Sequence, residues 1–258
     1  MNDIDKNPFV LDETGDFAVV YKPPRMHSAP LKNGIGDTLL DWYAALFPPV
    51  MELSGRQGGG GGLLHRLDFE THGLVLFAKN QQALDFLLIQ QDQGNFIKEY
   101  SAICQKAGAA PASFPPPPCQ LLPAVSPPPA GSAIESFFRP FGPGRKQVRP
   151  VTDDSKGRKA ARNEIAKDHG GYYRTEIVNI SDNITDNGHY AFTLRLKRGF
   201  RHQIRCHLAW IGCPVVNDPI YGEQPAADGF LALRSHALFF PDPESGRQRE
   251  YRVEGLSF

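Results

Sequence analysis

His65-Arg-Leu-Asp-Phe-Glu-Thr-His-Gly-Leu-Val-Leu-Phe-Ala-Lys79 sets five charged or titratable side chains directly before an apolar run. Residues 73–78, GLVLFA, read as a buried strand, and charge so close to a core element is costly unless it is paired or used. Asp68 is a candidate for use. An isolated aspartate before a strand is most often a turn or cap residue, but Arg66 and Asp68 lie two apart and face the same way on an extended chain. A carboxylate held ionised by an arginine serves as a nucleophile or an electrostatic stabiliser.

Working outward, DFAVVYKPP (16–24) is a short strand stopped by two prolines. Asp37 is placed to cap a helix over 38–47, and Asn80 one over 81–92 with Gly94 just past its end. FIKEYSAI (96–103) alternates like a strand, which puts Lys98 and Tyr100 on one face. The glycine run 58–62 lacks a following G-K-[ST] and a helix, so it is a loop and not a phosphate cradle. Residues 111–131 are proline-rich, and the basic segment 139–171 resembles a β-arm turning at Gly142–Gly144.

YYRTEIVNI (172–180) and HYAFTLRLK (189–197) read as strands, the second with Tyr190, Phe192, Leu194 and Leu196 on its buried face. RHQIRCHLAWIG (201–212) reads as a helix with an Ile204, Leu208, Ile211 stripe and with Arg201 and Arg205 on one side. His202 and His207 are five apart, which is wrong for a shared metal on one helix face, so no metal is expected. The irregular interleaving of strands and helices favours an α+β fold over a doubly wound sheet.

The chain has 258 residues with 28 basic and 28 acidic side chains. No run approaches the length of a membrane span, and the N-terminus lacks the features of a secretory signal, so a soluble, cytoplasmic protein is expected. Cys104, Cys119, Cys206 and Cys213 form no C-x-x-C pair and read as free thiols. Neutral overall charge conceals patches: Arg139 to Arg174 holds ten basic residues against four acids, and Arg195 to Arg205 five basic residues and no acid. Segregated positive charge suits a phosphate backbone, although charge runs are commonly plain solvated surface.

HRLDFETHGLVLFAK resembles the signature H-R-L-D-x-x-T-S-G-L-L-L-x-A-K of the RluA-type pseudouridine synthases. KEY (98–100) resembles their K-x-Y motif, and RHQIRCHLAWIGCPVVNDPIYG (201–222) their H-Q-I-R block. DFAVVYKPPRMHSAP (16–30) and LRSHALFFPDP (233–243) are similar to the opening and late blocks, in family order. The resemblance implies a mixed, largely antiparallel sheet with flanking helices and a central RNA-binding cleft, working on RNA without metal or organic cofactor. A single catalytic domain over 1–258 is expected, without a preceding S4-type domain and with 104–171 as a variable proline-rich loop and basic arm.

The same resemblance assigns residues. Asp68 matches the catalytic aspartate, Tyr100 the tyrosine lying against the target base, and Arg205 the arginine that pairs with the aspartate. Arg66 matches the arginine filling the space of a flipped base, while His65, Lys98, Arg201, His202 and Gln203 are expected at the RNA. The implied partner is ribosomal or transfer RNA, bound by a monomer. Three positions depart from the family pattern: His72 replaces Ser, Phe200-Arg201 shifts an arginine by one place, and Asn217 precedes Asp218 where Gly is common. Two rivals are a non-catalytic RNA-binding scaffold on the same fold and a glycoside hydrolase with Glu70 as second carboxylate. The hydrolase reading is weak, because two residues on an extended chain separate Cα atoms by only roughly 6–7 Å and no other feature supports it.

Overall fold

The computed structural model describes residues 6–31, 36–55, 60–105, 110–117, 129–152, 172–182, 188–222 and 229–253. Cys119, residues 118–128 of the proline-rich stretch and the basic residues of 153–171 fall outside them, as do Gly58 and Gly59. The chain divides into two compact units, Met1–Tyr100 with Leu233–Phe258, and Ser101–Ala232. In chain order the strands are β1 (Phe9–Glu13), β2 (Phe17–Lys22), β3 (His72–Ala78), β4 (Ile97–Cys104), β5 (Ala133–Phe141), β6 (Gln147–Val151), β7 (Tyr173–Asp182), β8 (Tyr190–Leu196), β9 (Leu233–Pro241) and β10 (Gln248–Arg252). The helices are α1 (Leu39–Leu46), α2 (Gln81–Asp92) and α3 (Gln203–Trp210). Strands dominate, the pairing is mixed and largely antiparallel, and the fold is α+β.

In the first unit β2 pairs antiparallel with β1 and with β3, in register from Phe17↔Ala78 to Lys22↔Gly73. β3 runs parallel to β9 through His72↔Arg234 and Gly73↔Ser235, and β10 folds back on β9. Every residue of β2 and of β3 is buried, which explains why both read as continuous apolar runs and not as alternating ones. Phe17, Leu74, Leu76, Leu84, Leu87 and Phe240 belong to one core under α2. Gly73 has φ +119°, and a Cβ there would lie 2.2 Å from the Ser235 carbonyl oxygen, so the close β3–β9 approach demands glycine.

Asn80 caps α2 as the sequence indicates, its side chain accepting from the Ala83 amide at 2.8 Å, and Gly94 follows with φ 76°. The cap of α1 is displaced by one residue from the expected Asp37. Thr38 and Asp41 form a reciprocal capping box instead, with Thr38 Oγ1 accepting from the Asp41 amide and Asp41 Oδ2 from the Thr38 amide. Asp37 itself is left-handed, with φ 60°.

In the second unit β5 and β6 form the expected arm, turning through Gly142 and Gly144 at φ 74° and 63°. β7 pairs antiparallel with β5 and with β8, whose Tyr190, Phe192, Leu194 and Leu196 are buried in strict alternation. The helix predicted at 201–212 is shorter. His202 adopts a left-handed φ of 55°, so α3 starts at Gln203, and Arg201 lies on the preceding turn and not on a helical face with Arg205. All eight residues of α3 are buried, polar ones included, so the expected three-residue stripe understates how enclosed it is. Cys104, Cys206 and Cys213 are buried free thiols.

Candidate active site

Residues 65–71 leave the core as an irregular loop before β3 begins at His72. Asp68 is partly exposed on that loop, Arg66 and Phe69 are exposed, and Leu67 is buried between them. Two devices fix the loop to the segment after β2. Ser28 Oγ donates to the Leu67 carbonyl and accepts from the Leu67 amide, both at 3.0 Å. Lys22, fully buried at the end of β2, directs its ammonium to the carbonyls of Pro23 and Met26 at 2.8 Å and of Phe69 at 3.3 Å. A backbone bond from the Thr71 amide to the Asp68 carbonyl, 3.1 Å, closes the turn.

Burial lowers the Lys22 pKa to about 7, against the pull of Asp68 and Glu70, whose negative charges favour the ammonium. Lys22 is thus a buried basic group that feels the Asp68 charge. Its signal in the sequence is a lysine ending the otherwise apolar strand FAVVYK, a position to which the sequence reading gave no role.

Tyr100 is buried on β4, 6% exposed. Burial, reinforced by the negative charge of Asp68, raises its hydroxyl pKa, so the group rests as a neutral phenol. Its hydroxyl is hydrogen-bonded to Ser235, and Ser235 Oγ donates to the Leu74 carbonyl at 3.2 Å. Asp68 and Tyr100 therefore share one electrostatic neighbourhood, and Ser235 is brought to it by the β3–β9 pairing.

Other assigned residues turn inward. His65 Nε2 lies 3.3 Å from the Leu74 carbonyl and its ring meets Phe96 edge-on at 5.1 Å. Burial, with the charge of Lys98, lowers its pKa to about 3. Lys98 is 3% exposed with its ammonium 5.0 Å from the centre of the Phe96 ring, and burial lowers its pKa to about 8. These two prop the loop from beneath, where the sequence reading expected them at the RNA. His72 is likewise buried and neutral, its pKa lowered to about 3 by burial and by the Arg234 and Lys22 charges.

In the second unit Arg205 presents Nε and Nη2 to the two carboxylate oxygens of Asp218, both at 2.7 Å, with both side chains at most 2% exposed. Asp218 Oδ1 also accepts from the amides of Ile220 and Tyr221. The Tyr221 hydroxyl accepts from the Val148 amide and donates to the Val148 carbonyl, which ties this turn to β6. Gln203 spends its amide on the Arg174 carbonyl, Thr175 Oγ1 and the Phe200 amide, and His207 bridges Ser136 and Thr175. Arg205 thus has Asp218 as a buried partner, an aspartate other than the Asp68 that the family resemblance implies, and Gln203 has an internal task in place of the expected RNA contact. Arg201 is exposed and braces the arm, donating to the carbonyls of Arg145 and Gln147 at 2.7 and 3.1 Å. His202 is half-buried with Nδ1 3.2 Å from the Tyr221 hydroxyl.

A mixed sheet bearing an aspartate on a latched loop beside a buried tyrosine defines a class that the comparisons make specific. Residues 16–210 match the RNA pseudouridylate synthase family, and the chain belongs to it. It is an isomerase that converts uridine in RNA to pseudouridine, and its RluA-type character, read from the motifs, holds. The chain is similar to an uncharacterized RNA pseudouridine synthase, YlyB, of Bacillus subtilis, with 26% identity over 259 residues, 97% of this chain and 71% of that one. It is similar to ribosomal large subunit pseudouridine synthase D of Zymomonas mobilis, with 27% identity over 257 residues, 95% of this chain and 68% of that one. Its fold is shared with human RNA pseudouridylate synthase domain containing 1, at a TM-score of 0.62 and 19% identity over 97% of this chain and 84% of that one. Among the described residues no helix is long and apolar enough to cross a membrane.

Proposed function

We propose that Asp68 is the catalytic aspartate, acting at the ribose of a flipped-out uridine in ribosomal RNA, with Tyr100 packed against the base. The observation that carries this reading is the placement of Asp68 on an anchored loop within electrostatic reach of the buried Tyr100 hydroxyl. The carboxylate is partly exposed on an anchored loop, and the buried phenol beside it responds to its charge. Asp68 either attacks C1′, displacing N1 of the uracil, or takes a proton from C2′ as the N1–C1′ bond breaks; the uracil then turns, C5 bonds to C1′, and the C5 proton is lost while N1 is protonated. Lys22 anchors the loop that carries the carboxylate through the Phe69 carbonyl. Tyr100 rests protonated and meets the base as a neutral phenol.

Ribosomal RNA is favoured because several of the similar proteins bear the name ribosomal large subunit pseudouridine synthase D. Phosphate contacts come from the arm around Arg145 and Lys146, which are exposed at its turn, and from Arg201 and Arg66, the last filling the space of the flipped base. Arg205 serves the activity through the fold, by holding Asp218. The enzyme works as a cytoplasmic monomer. The test is incubation with uridine-labelled RNA from cells lacking the gene, followed by nucleoside analysis. Wild type yields pseudouridine and Asp68→Asn none; free uracil would indicate hydrolysis, and no change with wild type would indicate an RNA-binding scaffold.

A further inference from the structure

Phe69 is a large apolar side chain left 39% exposed immediately after Asp68, between two carboxylates. Its ring does not hang free. It lies 4.6 Å from the His27 ring, tilted by 39°. The backbones carrying the two rings are joined on both sides of the contact. Lys22 draws together the carbonyls of Met26 and Phe69, and Ser28 exchanges two hydrogen bonds with Leu67. The residues flanking each ring are therefore fixed by buried polar contacts while the rings face outward. Arg66 and Arg25 are exposed beside them, Arg25 within 3.9 Å of Glu70.

An aromatic pair held rigid at the surface and flanked by arginines has the make-up of a nucleobase platform. Every base has a π-face to stack, and the guanidinium groups meet phosphates. A pre-positioned ring also costs little ordering entropy when it is covered. We propose that Phe69, braced by His27, stacks on the nucleobase adjacent to the target uridine and so positions the strand for Asp68. The inference rests on Asp68 being the catalytic aspartate. Phe69 sits one residue from the carboxylate that must reach the flipped nucleotide's ribose.

The test uses tritium release from [5-³H]uridine-labelled total RNA of cells lacking the gene, with the full chain. Phe69→Ala and Phe69→Leu should lower kcat/KM about five- to 150-fold, the range for loss of one base–aromatic stack, through KM and with little change in kcat. Phe69→Tyr should behave as wild type, and His27→Ala should show a smaller rise in KM. Thermal midpoints should be unchanged for the exposed Phe69 variants; if Phe69→Ala unfolds, the Leu and Tyr pair decides the matter. Wild-type KM in Phe69→Leu, or equal damage from Leu and Tyr, overturns the platform while the Asp68 reading stands. Product formation by Asp68→Asn overturns that reading instead.

Discussion

The loop at 65–71 and the block at 200–222 look alike as strings: each crowds polar and charged residues against apolar ones. Folded, they are opposites. In the second block the hydrogen-bonding groups of Gln203, His207, Asp218 and Tyr221 meet partners inside their own unit, and Arg205 and Asp218 are fully enclosed. In the loop, Lys22 and Ser28 anchor the backbone, Arg66 and Phe69 are exposed, and Asp68 is partly exposed. Polar density beside a core run therefore marks either a site or a buried scaffold. What separates them is how far the side chains are enclosed.

The largest expected effect breaks the comparison at its open end. Asp68→Asn should cut pseudouridine formation by about 10³-fold or more, as loss of a central catalytic group does, while leaving the thermal midpoint nearly unchanged. The closed end should respond in the other currency. Arg205→Leu leaves Asp218 buried and unpaired, and should cost about 3–5 kcal/mol in denaturant unfolding, with activity lost because folded protein is lost. A folded, fully stable but inactive Arg205→Leu would overturn the scaffold reading.

Acid titration comes next. His65, His72 and His207 have pKa values lowered from 6.5 to about 3, chiefly by burial. Between these values the unfolded chain binds protons that the folded chain does not, so stability falls as pH drops from about 6.5 toward 3. Each histidine contributes a slope of up to about 1.4 kcal/mol per pH unit. His207→Gln should flatten the acid limb by that one contribution in a series of unfolding curves. The smallest effect is expected from Ser235→Ala. It removes one hydrogen bond from Tyr100 and should lower kcat by about tenfold or less, in line with a net bond of roughly 1 kcal/mol, without changing the unfolding curve by more than a similar amount.

Much of this molecule is legible in its order of residues. Asn80 announces α2 and Gly94 its end because capping is a local matter of one side chain and a backbone three residues away. The alternation of β8 gives its buried face directly. Asp37 misleads as a cap because Thr38 and Asp41 form a two-way box that a single cap residue cannot match. Lys98 and Gln203 mislead further, since a basic or amide side chain reads the same whether it faces water or the interior.

By itself the sequence determined the α+β class and most elements, and its family resemblance pointed to Asp68 and Tyr100. These follow from periodicity, local capping and a motif written in contiguous residues. Only the tertiary structure decided that Lys22 feels the Asp68 charge, that Ser235 bonds Tyr100, that Arg205 holds Asp218, and that Phe69 faces outward with His27. Each joins segments distant along the chain or depends on which way a side chain points. Burial and pairing fix such relations, and they exist only once the strands have found their register.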